Sequence, residues 1–276
     1  MKKKYILPVL IILFFANCEK VIDVDVPSIP PKLIIDASFE VYFNQNPVVA
    51  STVVKLRLSA DYFDETIPIA TNATVFITDL SNNTIINFSD LSASGNYFPN
   101  NPFTPQDNTE YELTVIYDSQ TYKGKATRIK TTPLTKVVQG DKTLFSGKET
   151  ELEVYFTDTA DREDFYLFDF TNNLFLTVED RFFNGSEYNF SFFYGEVDIE
   201  LPATVSIKMS GISKEYYTYF RVLLDQSGLN DGGPFETVPS SLLGNIINIT
   251  NEENFPLGYF HIAETSSYNV KLIEKN

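Results

Sequence analysis

Short segments of alternating apolar and polar residues run through most of the chain beyond residue 32. Val54, Leu56 and Leu58 alternate with Lys55 and Arg57, the period-two pattern of a strand with one solvated face. The same alternation, interrupted by turn residues, predicts further strands at Ala73–Thr78, Thr84–Phe88, Tyr111–Tyr117 and Thr121–Thr127. About seven such segments in about 100 residues predict an immunoglobulin-like β-sandwich over residues 32–133. The Cys…Trp…Cys hallmark is absent, so the prediction concerns the architecture alone.

The strand pattern restarts after Thr132-Pro133. Leu152, Val154 and Phe156 alternate with acidic residues. Further strands are predicted at Phe165–Phe170, Leu174–Val178, Tyr188–Tyr194, Val197–Leu201, Thr204–Met209, Leu257–Ala263 and Tyr268–Ile273. Residues 134–276 are therefore predicted to form a second antiparallel β domain, either a sandwich or a partly open barrel.

One segment of this second region has helical periodicity instead. Ser213 can cap a helix N-terminus, and apolar residues follow at helical spacing: Tyr216, Phe220, Leu223 and Leu224. We expect this helix, near residues 213–227, to pack on the second sheet or to close one end of a barrel. A cofactor-binding or membrane-binding stripe is the alternative. The polar segment 228–241 that follows could line a binding site.

The N-terminus has the layout of a secretory signal. Three lysines at positions 2–4 precede an apolar run, Tyr5–Phe15, and then a small residue, Ala16. The run is about half the roughly 20 residues needed to span a bilayer, and it contains Pro8, so a transmembrane anchor is the weaker alternative. Residues 1–17 are predicted to be a signal peptide that is removed.

Cys18 is the only cysteine, and it follows this apolar run directly. Its position resembles that of the acylated first residue of a mature bacterial lipoprotein. A free or buried thiol is the alternative. Residues 18–31 contain Pro27, Pro30 and Pro31, which favour extended chain. We interpret them as a tether between the lipid on Cys18 and the first domain.

Composition narrows the classes of partner. The 276 residues include 24 Phe and 16 Tyr, which favour β-structure, and the formal charge is −16. Loss of the three N-terminal lysines would change that charge to −19. Because such a surface repels phosphates, we expect no nucleic-acid binding.

The sequence offers few groups for catalysis. His261 is the only histidine, and we expect it to be a packing or edge residue of a strand. With one histidine and no free thiol, Ser-His-Asp, Cys-His and familiar zinc sites are disfavoured. Two adjacent acidic pairs remain as candidates for a hydrolase, Glu163 with Asp164 and Glu179 with Asp180. Adjacent strand residues point to opposite faces, so neither pair could share one cleft.

Metal and cofactor sites have equally little support. The acidic run Asp158–Asp164 offers oxygen ligands for calcium, but it lacks the spacing and the glycine of a calcium loop. We expect a solvated turn there. No glycine-rich phosphate loop follows a predicted strand. The sequence therefore predicts no catalytic residues, no cofactor and no metal.

Several short motifs together resemble a known family. They begin with CEKVIDVDVP at Cys18 and occur in a fixed order along the mature chain: Pro31-Lys32-Leu33-Ile34-Ile35, Gly95-Asn96-Tyr97, Glu110-Tyr111-Glu112-Leu113, Phe183-Asn184-Gly185, Ser213-Lys214-Glu215-Tyr216-Tyr217, Gly232-Gly233-Pro234-Phe235, Asn245-Ile246 and Leu257-Gly258-Tyr259-Phe260. The chain is similar to the Bacteroidetes outer-membrane lipoproteins known as domain of unknown function 4249. Phe15 and Asn17 depart from the commonest residues before a lipoprotein cysteine.

The resemblance implies a location and a role. Members are commonly encoded beside TonB-dependent outer-membrane receptors, so we expect a non-catalytic lipoprotein anchored in the outer membrane, on its periplasmic or cell-surface face, and accessory to such a receptor. The alternative is a free-standing lipoprotein that binds a glycan, a peptide or a small apolar ligand. A carboxylate-based hydrolase is the third hypothesis. The family supplies no catalytic residues to carry over.

Overall fold

The computed structural model describes residues 30–61, 64, 66–227 and 242–274. The predicted signal peptide 1–17, Cys18, nearly all of the tether 18–31 and the polar segment 228–241 lie outside these residues. Within them, strands make up most of the regular structure and one α-helix occurs. The predicted all-β class with a single helix is confirmed.

Eight strands form the N-terminal part of the described chain. They are β1 (Leu33–Tyr42), β2 (Val49–Ser51), β3 (Val54–Leu58), β4 (Thr74–Asp79), β5 (Thr84–Ser89), β6 (Asn96–Pro99), β7 (Glu110–Tyr117) and β8 (Gln120–Ile129). Along the sheet the order is β1, β3, β6, β5, β4, β7, β8, with β2 on the edge of β1. Strands β6 and β8 change partners along their length, which folds the sheet into two facing layers.

The second part carries the remaining strands and the helix. They are β9 (Leu134–Gln139), β10 (Thr150–Thr157), β11 (Phe165–Asp169), β12 (Phe175–Glu179), β13 (Glu187–Tyr194), β14 (Ala203–Ile212), α1 (Lys214–Ser227), β15 (Ile246–Asn248) and β16 (Leu257–Leu272), with a 3₁₀ turn at Asp180–Phe182. The β13-β10-β9 sheet faces the β12-β11-β14-β16 end of the large sheet. Aromatic and aliphatic side chains from both sheets fill the space between them, so this part is a sandwich.

Strand β16 belongs to both parts. Its first half runs parallel to β1, from Ile34 beside Leu257 to Tyr42 beside Thr265. At Ile262 and Ala263 it also pairs with β8, which closes the N-terminal sandwich. Its second half runs antiparallel to β14. The C-terminal strand therefore joins the two halves of the protein through backbone hydrogen bonds.

The continuity of β16 corrects one prediction. The polar run Glu264-Thr265-Ser266 was expected to separate two strands, but all three residues are buried within one strand of 16 residues. Each has a partner: Glu264 binds Arg128, Thr265 bonds Ser210 at 2.8 Å, and Ser266 accepts the amide of Leu134 at 2.9 Å. Because these partners satisfy the polar groups, no turn is needed.

Each of the two sandwiches has its own large hydrophobic core. The first contains Phe39, Leu56 and Tyr111, and the second contains Val154, Phe168 and Ile207. Side chains from the C-terminal region also enter the first core: Ile246, Phe260 and Ile262. Residues 246–263 therefore complete the N-terminal sandwich, although they follow the predicted second domain in sequence.

The strand predicted at Val197–Leu201 is wrong. The backbone turns there, because the amide of Gly195 donates to Asp198 Oδ2 at 2.6 Å and the amide of Asp198 returns to the Gly195 carbonyl at 3.2 Å. Val197 is left almost fully exposed at this turn.

In the described ranges, no helix is both long and apolar enough to cross a membrane.

Candidate functional site

Strand β1 presents two different faces. Its odd-numbered residues, including Ile35 and Phe39, are buried in the first core, and its even-numbered residues lie on the opposite face. The parallel register with β16 sets three of these outer residues beside three residues of β16: Ile34 with Leu257, Asp36 with Tyr259, and Ser38 with His261. These six residues form a surface that we call the floor.

Helix α1 lies above the floor. The hydroxyl of Ser213 accepts the amide of Tyr216 at 3.2 Å, which confirms the predicted N-cap. The helix then presents a stripe at i, i+3, i+4 and i+7 spacing, and these residues form the wall: Tyr216, Tyr219, Phe220 and Leu223.

The helix is held on two sides. Tyr217 contacts the ring of Phe165 in β11 at 5.1 Å between ring centroids, and Phe220 contacts Phe175 in β12 at 5.4 Å. Tyr216 contacts Tyr259 of the floor at 4.9 Å. The helix thus packs partly on β11 and β12, at the end of the large sheet that belongs to the second sandwich, and partly over β1 and β16.

A cavity of about 680 Å³ separates the rest of the wall from the floor. Asp61, Asp64 and Pro68 from the segment after β3 also line it, as does Lys32 before β1. Volumes of roughly 300–1,000 Å³ accommodate small organic ligands, and such sites combine apolar walls with a few polar groups. This cavity has that composition.

Asp36 is the charged group of the floor. It accepts a hydrogen bond from the Ser38 hydroxyl at 2.7 Å and pairs with the Lys55 ammonium at 3.1 Å. Its side chain is 42% exposed, so the carboxylate keeps contact with the cavity and with solvent. The Lys32 ammonium lies over the ring of Phe255, 3.3 Å from its centroid.

The tyrosines beside Asp36 are held neutral. Burial, reinforced by the negative charge of Asp36, raises the pKa of Tyr219 to about 12. Burial also raises the pKa of Tyr216 well above its ordinary value, with a smaller opposing effect from the Ser38 hydroxyl. Both phenols therefore remain hydrogen-bond donors and acceptors at neutral pH.

His261 lies beneath the wall. Its ring stacks on Tyr216 at 3.9 Å, it is 9% exposed, and its Nδ1 has no hydrogen-bond partner. Burial lowers its pKa to about 4, against a smaller opposing effect of Asp36. The imidazole is therefore neutral at pH 7, and His261 is a packing residue, as predicted.

A second cluster corrects the expectation of a solvated turn at Asp158–Asp164. Asp158 and Asp164 are buried and meet Asp180, with one carboxylate oxygen of each within 4.8 Å of the others. Asp158 accepts the hydroxyl of Tyr166 and, at 2.8 Å, the amide of Gly185. These donors allow the two ends of the acidic run to turn inward.

The rest of the cluster is also bonded to the protein. Arg162 pairs with Asp164 at 2.5 Å, and Asn184 donates to Asp180 at 3.1 Å. Burial raises the pKa of Asp164, although Arg162 opposes that rise. The three carboxylates could together hold a cation.

The two acidic pairs considered in the sequence divide as expected. The Glu163 side chain is 66% exposed whereas that of Asp164 is 7% exposed. Likewise Glu179 is 39% exposed and Asp180 is buried. One member of each pair therefore points inward, and these two residues, Asp164 and Asp180, meet in the buried cluster.

Sequence reasoning found the wall but missed the floor. The helical stripe identified Tyr216, Phe220 and Leu223, whereas no residue of β1, Asp36 included, was singled out in the sequence. The feature that marks Asp36 is its neighbour Tyr259 on β16. That neighbour is known only once the register of β1 with β16 is known.

Comparison with known proteins gives one result. The family model described as "Domain of unknown function (DUF4249)" matches residues 19–269. No curated protein matches the chain. The match covers most of the sequence, including both sandwiches, the floor and the wall, and the chain therefore belongs to the DUF4249 family.

Proposed function

We propose that this protein is a non-catalytic, lipid-anchored binding protein that holds a small amphipathic molecule between α1 and the β1–β16 floor. The observation that carries the proposal is the cavity of about 680 Å³ lined by aromatic, aliphatic and a few charged side chains. This develops the second hypothesis drawn from the sequence, with the proposed site at the junction of the two sandwiches.

The construction of the site supports binding. The floor belongs to two long strands in continuous register, and the wall is a capped helix of 14 residues. Rigid elements of this kind hold a ligand surface in place without a large loss of entropy on binding. The only histidine is packed beneath the wall and is not among the residues that line the cavity.

The anchor is part of the same proposal. Cys18 stands 15 residues before β1, and the floor begins with β1. A lipid on Cys18 would therefore attach the protein to the outer membrane through the segment that leads into β1. Mass spectrometry of the native N-terminus tests this part: we expect an acylated Cys18, and an unmodified thiol or an intact leader would contradict it.

Binding is tested by filling the cavity. Leu223→Trp introduces a larger side chain into the wall, and Leu144→Trp introduces the same side chain at an exposed position of the β9–β10 loop. We expect native mass spectrometry of gently extracted protein to detect a bound small molecule in the wild type and in Leu144→Trp, but not in Leu223→Trp. Identical loading of all three proteins would contradict the proposal.

A second candidate function, docking with a TonB-dependent receptor, is favoured by the β9–β10 loop. Phe145 is fully exposed and Leu144 is 51% exposed. Yet this loop is well braced: the Glu149 carboxylate accepts the amides of Leu144 at 3.0 Å and of Ser146 at 3.1 Å. The Ser146 hydroxyl and these amides lower the pKa of Glu149 to about 2. A braced loop that exposes an aromatic ring is suited to contact with another protein.

The loop also lies far from the tether. Gln139, the last residue of β9, forms two hydrogen bonds with the backbone of Ile273, just beyond β16. The tether leads into β1 beside Leu257, at the start of β16. Sixteen strand residues span roughly 50 Å, so the loop is presented away from the anchored end.

Affinity purification under mild conditions tests the docking role. We expect a large outer-membrane receptor to be recovered with the wild type and with Phe182→Ser, which removes another exposed ring, but not with Phe145→Ser. Repeated recovery of the wild type alone would count against this function and would leave the binding proposal standing.

A further inference from the structure

The rings of the site form one connected cluster beside a carboxylate. Tyr216, Tyr219 and Tyr259 contact one another, with centroid separations of 6.0 Å for Tyr216–Tyr219 and 4.9 Å for each of the other two pairs. Asp36 lies beside Tyr259 in the register and raises the pKa values of both helix tyrosines. One small region of the cavity thus combines a carboxylate with the rings of Tyr219 and Tyr259, whereas Tyr216 is buried and stacked on His261.

The charges around the cavity are unequal. Among the described residues that line it, three are carboxylates, Asp36, Asp61 and Asp64, and one is basic, Lys32. Asp36 also pairs with the Lys55 ammonium at 3.1 Å, so three carboxylates stand against two lysines. The ammonium of Lys32 is already engaged over the ring of Phe255. The whole chain carries a formal charge of −16. The local field therefore disfavours anionic ligands and attracts cations.

Aromatic faces and carboxylates recognise the same kind of group. The face of an aromatic ring carries negative electrostatic potential, so clustered rings bind ammonium groups, and a nearby carboxylate adds direct attraction. The remainder of the cavity is apolar, with Phe220, Leu223 and Leu257 suited to an alkyl or aryl body.

We propose that the cavity binds an organic cation, a protonated amine or quaternary ammonium attached to an apolar body. The ammonium group lies near Asp36, Tyr219 and Tyr259, and the apolar body lies along Phe220 and Leu257. This inference rests on the proposed function and specifies its ligand class.

Three probes with one apolar body separate charge from shape. They are 4-phenylbutylamine, 4-phenylbutan-1-ol and 4-phenylbutyrate, which carry a cationic, a neutral and an anionic head at pH 7. Titration calorimetry uses the full mature protein in lipid nanodiscs, with empty nanodiscs as the blank. We expect the amine to bind roughly tenfold more tightly than the alcohol, and the carboxylate to bind more weakly than the alcohol.

Substitutions assign the charge effect to Asp36. Asp36→Asn should reduce the affinity for the amine to about that for the alcohol and leave the alcohol unchanged. Glu110→Gln is the matched control, because Glu110 is also half exposed and pairs with a lysine, Lys125, but does not line this cavity. It should leave all three affinities unchanged.

The outcomes distinguish the two levels of the account. If the alcohol or the carboxylate binds as tightly as the amine, or if Asp36→Asn leaves the preference intact, the cation inference is overturned while the cavity remains a binding site. If none of the three probes binds, both the inference and the proposed binding function are contradicted.

Discussion

The ring of His261 stacks on the ring of Tyr216 at 3.9 Å and joins the β1–β16 floor to the helix that covers it. The imidazole is neutral because it is buried without a partner for Nδ1. A contact that depends on a neutral imidazole makes the packing of α1 sensitive to acid, and this yields the first prediction.

The folded protein should lose stability as His261 becomes protonated. Its pKa falls from an unfolded value of roughly 6.5 to about 4 in the folded state, so its contribution is fully present above pH 6.5 and is lost as the pH falls toward 4. Between pH 7 and pH 5 the loss is about 2 kcal/mol. Urea unfolding at pH 7 and pH 5 measures the free energy of unfolding of both proteins. The decrease between the two pH values should be about 2 kcal/mol smaller in His261→Phe than in the wild type. An unchanged difference between the two pH values would refute the assignment.

The hydroxyl of Tyr166 should contribute more to the free energy of unfolding than the hydroxyl of a more exposed tyrosine. Its hydroxyl donates to buried Asp158 and lies 3.3 Å from Asp164, so Tyr166→Phe leaves buried carboxylates short of a donor. We expect a cost of about 1–3 kcal/mol in the free energy of unfolding. Tyr155→Phe removes a hydroxyl that donates to the more exposed Glu153, and it should cost less than about 0.5 kcal/mol. Equal costs would contradict this account of the cluster.

Gly258 should resist substitution because β1 passes directly against it. A methyl group at Gly258 would lie 2.1 Å from the carbonyl oxygen of Ile35, and φ there is +102°. Gly147 also has positive φ, +76°, but open space around it. We expect Gly147→Ala to cost about 1 kcal/mol from backbone strain, and Gly258→Ala at least about 3 kcal/mol from strain and clash together. Thermal unfolding measures both, and similar costs would mean that β1 and β16 are not in this register.

The Arg128–Glu264 pair should stabilise the closure of the N-terminal sandwich. Its atoms are 2.7 Å apart and the side chains are 14% and 9% exposed. Arg128 also pairs with Asp107 at 2.7 Å, so Glu264→Gln leaves the arginine one carboxylate partner and should lower the free energy of unfolding by about 1–3 kcal/mol. Glu196→Gln breaks the exposed pair with Lys148 and should cost about 0–1 kcal/mol. If Glu264→Gln leaves the free energy of unfolding unchanged, the pair does not hold β8 to β16.

Alternation located many of the strands because their side chains divide between a core and solvent, but β1, ten residues long, was not among those predicted. Strand β3 coincides with its predicted bounds, Val54–Leu58, and β7, β10 and β13 differ from theirs by one or two residues at an end. The helix was equally readable, since Ser213 caps it and its apolar stripe has a period that no strand shares. Strands β2 and β15 have three residues each, too few for alternation to register.

Pairing between distant strands could not be read from the pattern. Alternation says which face of β1 is buried, but it does not say that β16, more than 200 residues away, lies beside it. The floor depends on that pairing, so Asp36 and Tyr259 could be recognised as neighbours only in the folded chain. The buried Asp158, Asp164 and Asp180 were missed for a related reason, because their hydrogen-bond donors come from separate segments.

The most direct measurement is a crystal structure of the protein grown with 4-phenylbutylamine. We expect electron density for one molecule of the amine between α1 and the floor. Its nitrogen should lie within about 4 Å of the Asp36 carboxylate, and its phenyl ring should pack against Phe220 or Leu257. An empty cavity at a saturating concentration of the amine, or density at another surface alone, would contradict it.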